Sequence, residues 1–194
     1  MENLIYTNRL ILRQFNKEDI QAIFEIYKDK EVNKYLPWYP LKSIEEAESL
    51  YCEKYEKEYK NNNGYKYAIC LKENNIPIGY VHLSNNDSYD LGYGLKKEFW
   101  HKGIVTEATK AIIEMLKEDN IPYITATHDI NNIRSGNVMK NIGMQYCYTY
   151  KELWQLKNIL VTFRMYQLNL DENKDRIYKK YWEQYSEHFI EKNI

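Results

Sequence analysis

Cysteine is scarce in this chain of 194 residues. Cys52, Cys70 and Cys147 are far apart and odd in number, which argues against a disulfide framework or a zinc knuckle and fits a reducing compartment. Neither sign of charge prevails, with 27 lysines and arginines against 28 aspartates and glutamates. Such a balance gives no global pull towards nucleic acid or an acidic membrane. No apolar run approaches the roughly 18 residues of a bilayer span. The opening residues lack the basic-then-apolar pattern of a secretory leader. Also missing are the G-x-G-x-x-G turn and the G-x-x-x-x-G-K-[ST] loop, so a nucleotide-binding module is the weakest reading. No internal repeat is present. The expectation is one soluble, cytoplasmic domain, since the length favours one core over two.

What is abundant says less. The 20 tyrosines accompany many Asn, Lys and Ile residues, as an AT-rich coding sequence would give, and carry no functional weight by themselves.

Strand and helix signals alternate along the chain. "RLILRQF" (9–15) reads as a strand, and Asn16 is placed to cap a helix whose Ile20, Ile23, Phe24 and Tyr27 share one face. After "LPWYPLK", Ser43 and Glu46 form an S-x-x-E capping box opening a helix to about Tyr59, which "NNNG" (61–64) stops. Strands follow at about 65–71, 76–84 and 89–95. A helix begins after Gly103, "YITATH" (123–128) is a buried strand, and a short helix opened by Asn132 ends at Gly143. Two more strands surround "QLKN". The strand at 89–95, its crossover helix and the strand at 123–128 make a βαβ unit, so those two strands should be parallel. The fold class is therefore α/β (α+β). The tail, 171–194, is a separate charged segment in which Tyr178, Tyr181, Trp182, Tyr185 and Phe189 fall on one helical stripe. It is expected to be a helix packed on its own domain or on a second copy in a homodimer.

The stretch "FWHKGIVTEA" (99–108) sets a strand, a basic loop, one glycine and a helix start in succession. A helix N-terminus offers unpaired N–H groups and the positive end of a dipole, and glycine lets backbone approach a ligand, so the loop is shaped for an anion.

Three stretches, "TNRLILR" (7–13), "GYGLKKEFWHKGIVTEA" (92–108) and "HDINNIRSGNVMKNIGM" (128–144), resemble the GNAT superfamily of acyl-CoA N-acyltransferases, specifically its ribosomal-protein N-terminal acetyltransferase-like branch. The resemblance covers about 8–168 and implies a mostly antiparallel mixed sheet splayed between two parallel strands, with helices on both faces and the domain spanning 8–170. The implied co-substrate is acetyl-CoA, with its pyrophosphate on the amides of His101, Lys102, Gly103, Ile104, Val105 and Thr106. Trp100 and Val105 depart from the family's Q/R-x-x-G-x-G/A pattern. The thioester and pantetheine are expected on amides near Gly94, Leu95 and Lys96. Asn132 would contact coenzyme A and Ser135 would protonate the departing thiolate.

For a base, Asp90 lies ten residues before Trp100, where some branches place a glutamate; a solvated strand-edge carboxylate is the alternative. His82 could take a proton at neutral pH or simply be packed, and water is the third choice. Cys147 lacks an evident base, which disfavours a covalent cysteine route. Tyr35, Trp38 and Tyr39 are expected, with His82, to line the acceptor pocket. The implied activity is acetyl transfer to a primary amine, on a peptide N-terminus or a small molecule, with no metal, nucleic acid or membrane. A silent coenzyme A sensor of the same fold is the rival reading.

Overall fold

The computed structural model describes residues 4–61, 64–192 and 194. Its elements, in chain order, are β1 (Ile5–Tyr6), β2 (Leu10–Arg13), α1 (Ile20–Lys28), α2 (Ile44–Leu50), α3 (Lys57–Lys60), β3 (Tyr65–Leu71), β4 (Pro77–Leu83), β5 (Leu91–Leu95), α4 (Ile104–Glu118), β6 (Tyr123–Asp129), α5 (Ile133–Asn141), β7 (Gln145–Trp154), β8 (Ile159–Asn169), α6 (Lys180–Gln184) and β9 (His188–Phe189).

The caps lie where the spacing puts them. Asn16 accepts the Glu18 amide through its side chain, and Asp19 returns to the Asn16 amide while pairing with Arg13 at 2.6 Å. Ser43 accepts the Glu46 amide at 3.4 Å, whereas the Glu46 carboxylate reaches one residue further back, to the Lys42 amide at 2.7 Å. Between α2 and α3 the turns widen into a π-helical stretch, Tyr51–Glu56, so the predicted helix runs on to Lys60. Of its predicted stop, Asn62 and Asn63 lie outside the described residues.

Two antiparallel sheets form, in the orders β1-β2-β3-β4-β5 and β6-β8-β7-β9. They meet at one parallel bridge, Asp90 with Thr125, and part beyond it. The expected βαβ pair is thus joined only at its start, and the splay opens a gap between β5 and β6. One core, including Leu12, Ile69, Val81, Ile112, Ile124 and Met139, lies under α4 and α5. A second, including Ile23, Tyr27, Tyr55 and Tyr80, lies under α1 and α2 on the opposite face.

The tail departs from its predicted form. Among its described residues only Lys180–Gln184 is helical; Tyr185 is extended, and His188–Phe189 pairs with β7. The physical reason is the free edge of β7, whose unpaired amides and carbonyls favour an added strand over further helix. Glu191 fastens this end through Arg164 (2.6 Å) and the Thr149 hydroxyl (2.5 Å). Tyr178, Tyr181, Trp182 and Tyr185 pack as a third core with Tyr148 and Tyr150 of the chain's own sheet. Phe189 leaves the stripe and is 43% exposed.

Candidate active site

The glycine loop is built by backbone conformation. Gly103 has φ +70°, a left-handed geometry that L side chains rarely adopt, and an added β-carbon would meet only Arg9 Nη2, at 3.8 Å. His101 also has positive φ, 61°. Two such residues within three fold the loop so that it leads directly into α4, whose first-turn amides have no partner within the helix. Arg9 holds the loop from outside: Nη1 donates to the Lys102 carbonyl at 2.9 Å, and Nε and Nη2 grip Glu107 at 2.7 and 2.6 Å. Trp100 fastens the near side, its indole N–H donating to the Leu95 carbonyl at 2.8 Å. Trp100, one of the two residues that depart from the family pattern, is therefore a strut. Arg134 lies over its ring, 4.2 Å from the centroid, with no ion pair among the described residues. The Lys102 ammonium turns aside, over Phe99.

The edge of β5 can be read from its register. The Lys96 amide donates to the Ile78 carbonyl at 2.8 Å, so Lys96 faces β4 and its amide is already used. Alternation along an antiparallel strand turns Gly94 the same way, and turns Tyr93 and Leu95 towards the gap. Of the three amides expected near the thioester, that of Leu95 thus faces the gap beside Tyr93, whereas those of Gly94 and Lys96 are turned to β4. Gly94 has another duty, since a β-carbon there would lie 2.6 Å from the Tyr80 ring.

Across the gap, Asn132 caps α5, its side-chain oxygen accepting the Ser135 amide at 3.3 Å. Tyr93 Oη donates to the Ser135 carbonyl at 2.9 Å and lies 3.0 Å from Ser135 Oγ. A phenol has one proton, so with that proton on the carbonyl the serine hydroxyl is the donor to Tyr93 Oη. Buried His128 has Nδ1 2.8 Å from the Asp129 carbonyl, while its Nε2 has no hydrogen-bond partner among the described residues. Burial pushes its pKa down from the usual histidine range.

One cavity of about 570 Å³ joins these parts. His101, Gly103, Ile104, Val105 and Thr106 line one end, with Asn132, Arg134 and Ser135 opposite. Tyr93 and Leu95 also line the cavity, and so do Glu31, Val32, Tyr35, Leu36 and Phe163.

Of the expected acceptor residues, Tyr35 alone lines this cavity. Trp38 belongs to the core under α1, donating to Asn33 and covering the Lys54 ammonium at 4.6 Å. Tyr39 is exposed on the surface. His82 follows Tyr80 on the same face of β4 and stacks on it at 4.4 Å beneath the helices. Burial, with Lys54 and Lys66 nearby, drives its pKa well below the usual histidine range. Asp90 is partly buried two residues before Gly92, outside the cavity lining. It accepts a 3.4 Å bond from Thr125, and burial pushes its carboxyl up to about 7, with Glu152 adding to the rise. Cys147 occupies a bulge in β7, where burial raises its thiol to about 11.

The sequence reading missed Arg9, Tyr93 and Arg134 as contributors. Arg9 stood inside a quoted motif, but its partners Lys102 and Glu107 lie 93 and 98 residues away.

The acetyltransferase (GNAT) domain family matches residues 9–145. An uncharacterized N-acetyltransferase, YnaD, of Bacillus subtilis (strain 168) is 32% identical over 149 residues, 73% of this chain and 82% of that protein. Among solved structures, a GNAT-family acetyltransferase from Bacillus anthracis superposes with TM-score 0.73 at 24% identity, covering 88% of this chain and 100% of its own. The ribosomal-protein-S5-alanine acetyltransferase from Vibrio fischeri gives TM-score 0.71 at 21% identity, covering 89% and 100%. Both solved structures share the fold described above.

Proposed function

The chain belongs to the GNAT acetyltransferase family, and from that membership we infer that it moves the acetyl group of acetyl-CoA onto a primary amine by direct attack, both substrates held in one cleft. It is an acetyl-CoA-dependent acyltransferase; the acceptor and the residue roles are our reading. The observation that carries them is the single cavity joining the glycine loop, the free edge of β5 and the Tyr93–Ser135 pair. Its residues fit coenzyme A: Gly103 leaves open space where a side chain would intrude, α4 presents unpaired amides, and Arg134 has no acidic partner among the described residues.

When bound, acetyl-CoA supplies an activated acyl thioester and a thiol as leaving group. The backbone from His101 to Thr106 would hold the pyrophosphate, and the backbone groups of Tyr93 and the amide of Leu95 would orient the pantetheine arm, the Leu95 carbonyl being held by Trp100. Ser135 Oγ, kept in place by Tyr93, would give a proton to the departing sulfur. Asp90 would take the proton of the attacking amine through water, from a carboxyl whose pKa suits neutral pH. Holding both reactants in one cleft supplies proximity. A panel of primary amines, read by free-thiol release, tests the reading. Tight acetyl-CoA binding with no release from any amine at pH 7 to 9 would reduce the protein to a binder.

Two substitutions test the cradle. Gly103→Glu combines a strained backbone with a carboxylate at the anion site, and calorimetry should show coenzyme A binding at least tenfold weaker, about 1.4 kcal/mol. Unchanged affinity in a folded variant would remove the loop from the site. Arg134→Gln should weaken coenzyme A about fivefold. If its target is the ribose 3′-phosphate, dephospho-coenzyme A should bind both proteins equally; if the pyrophosphate, both ligands should weaken alike. No loss with either ligand would leave Arg134 as packing on Trp100.

A further inference from the structure

The part of the cavity lined by Val32, Tyr35, Leu36 and Phe163 carries information about acceptor size that the family match does not. We infer that the acceptor is a small primary amine with an apolar body, and that Lys157 excludes polypeptide N-termini by tying the Leu36 wall of the cavity to the turn between β7 and β8. The inference rests on the acetyl-transfer reading above.

The strap joins segments far apart in sequence. Lys157 lies in the turn between β7 and β8, and its ammonium donates to the carbonyl of Leu36 at 2.7 Å, across 121 residues. Leu36 itself lines the cavity, as does Phe163 of β8. The same ammonium lies 5.7 Å from the ring centroids of both Tyr39 and Trp154. The Tyr39 hydroxyl donates back to the Leu156 carbonyl at a long 3.5 Å. Thus the exposed tyrosine expected in the pocket lies over the strap instead. The hairpin turn and the segment after α1 are thus tied together beside a residue of the cavity wall.

The lining agrees with a small acceptor. A peptide bound by its N-terminus brings backbone N–H and C=O groups that need partners once they leave water. Val32, Tyr35, Leu36 and Phe163 offer mainly apolar surface, which suits a short hydrocarbon or aromatic body. Glu31, which also lines the cavity, forms no ion pair among the described residues and favours an arriving ammonium over a carboxylate.

The test uses the full chain with acetyl-CoA and compares kcat/KM for phenethylamine and isoamylamine with that for pentapeptides bearing free N-terminal Ala or Ser and no other amine. Wild type should prefer the small amines by at least 100-fold. Lys157→Ala should raise peptide kcat/KM at least tenfold and leave the small amines within twofold, while Lys157→Arg, which keeps a cation on the strap, should behave as wild type. Peptides acetylated as well as the small amines by wild type would overturn the inference and leave acetyl transfer intact. An unchanged peptide-to-amine ratio in a folded Lys157→Ala variant would also overturn it. Thiol release from neither class, with acetyl-CoA still bound, would remove both this inference and the reading beneath it.

Discussion

Ser135→Ala should lower turnover about 100-fold and leave acetyl-CoA affinity nearly unchanged, as expected for loss of a general acid whose action is confined to the reaction step. The geometry makes this substitution clean. Tyr93 is held partly by the backbone carbonyl of Ser135, which alanine retains at its 2.9 Å position, so the phenol keeps its anchor. The glycine loop and α4 belong to other elements and keep their own bonds to Arg9. Tyr93→Phe is different, since it removes both bonds to residue 135 and frees the serine to rotate. It should cost less, about tenfold, because the acid survives but loses its orientation. Combined, the two should cost little more than Ser135→Ala alone, because groups acting as one unit are not additive. A burst-and-steady-state experiment separates chemistry from release. If Ser135→Ala turns over at the wild-type rate, water protonates the thiolate and the pair is structural. A coenzyme A thiol is acidic enough to allow that outcome.

That pair also shows where reading the sequence stops. Local features were legible because their physics is local. Asn16 and Ser43 cap helices within a few residues of themselves, and the glycine before α4 marks a helix start whatever else the chain does. The element order was legible for the same reason. Whether Gly94 or Leu95 faces the gap was not, because it depends on the parity of the β4–β5 register, and a one-residue slip exchanges the two. Ser135 was singled out through spacing and resemblance, yet its partner Tyr93 lies 42 residues back on another element. Arg9 and Lys157 work at longer range still. The tail failed differently: its aromatic spacing is helical, but a vacant sheet edge decided the structure after the first turn.

The other large effect belongs to Asp90, where stability and catalysis should move in opposite directions. Burial lifts its carboxyl to about 7, and Glu152 and the surrounding tyrosines, among them Tyr93, Tyr150 and Tyr181, supply no cation to offset that. In the unfolded chain the same group titrates at about 3.9. Between these values the folded protein holds a proton that the unfolded chain has lost, so this residue makes stability fall as pH rises from about 4 to 7 and then level off. Asp90→Asn removes the penalty. Urea unfolding should show the variant more stable at pH 8 by on the order of 3 kcal/mol, with the difference vanishing near pH 4. A carboxylate kept at such a cost is expected at a working site, where stability and function pull apart. If Asp90 takes the amine's proton, wild-type kcat/KM should rise with pH through about 7, and the Asn variant should lose that limb and about 100-fold in rate. A stabilised variant that keeps full activity and the same pH profile would make Asp90 a strained but idle carboxylate and leave the proton to water. A variant with neither gain in stability nor loss in rate would show that the side chain is solvated and outside the site altogether.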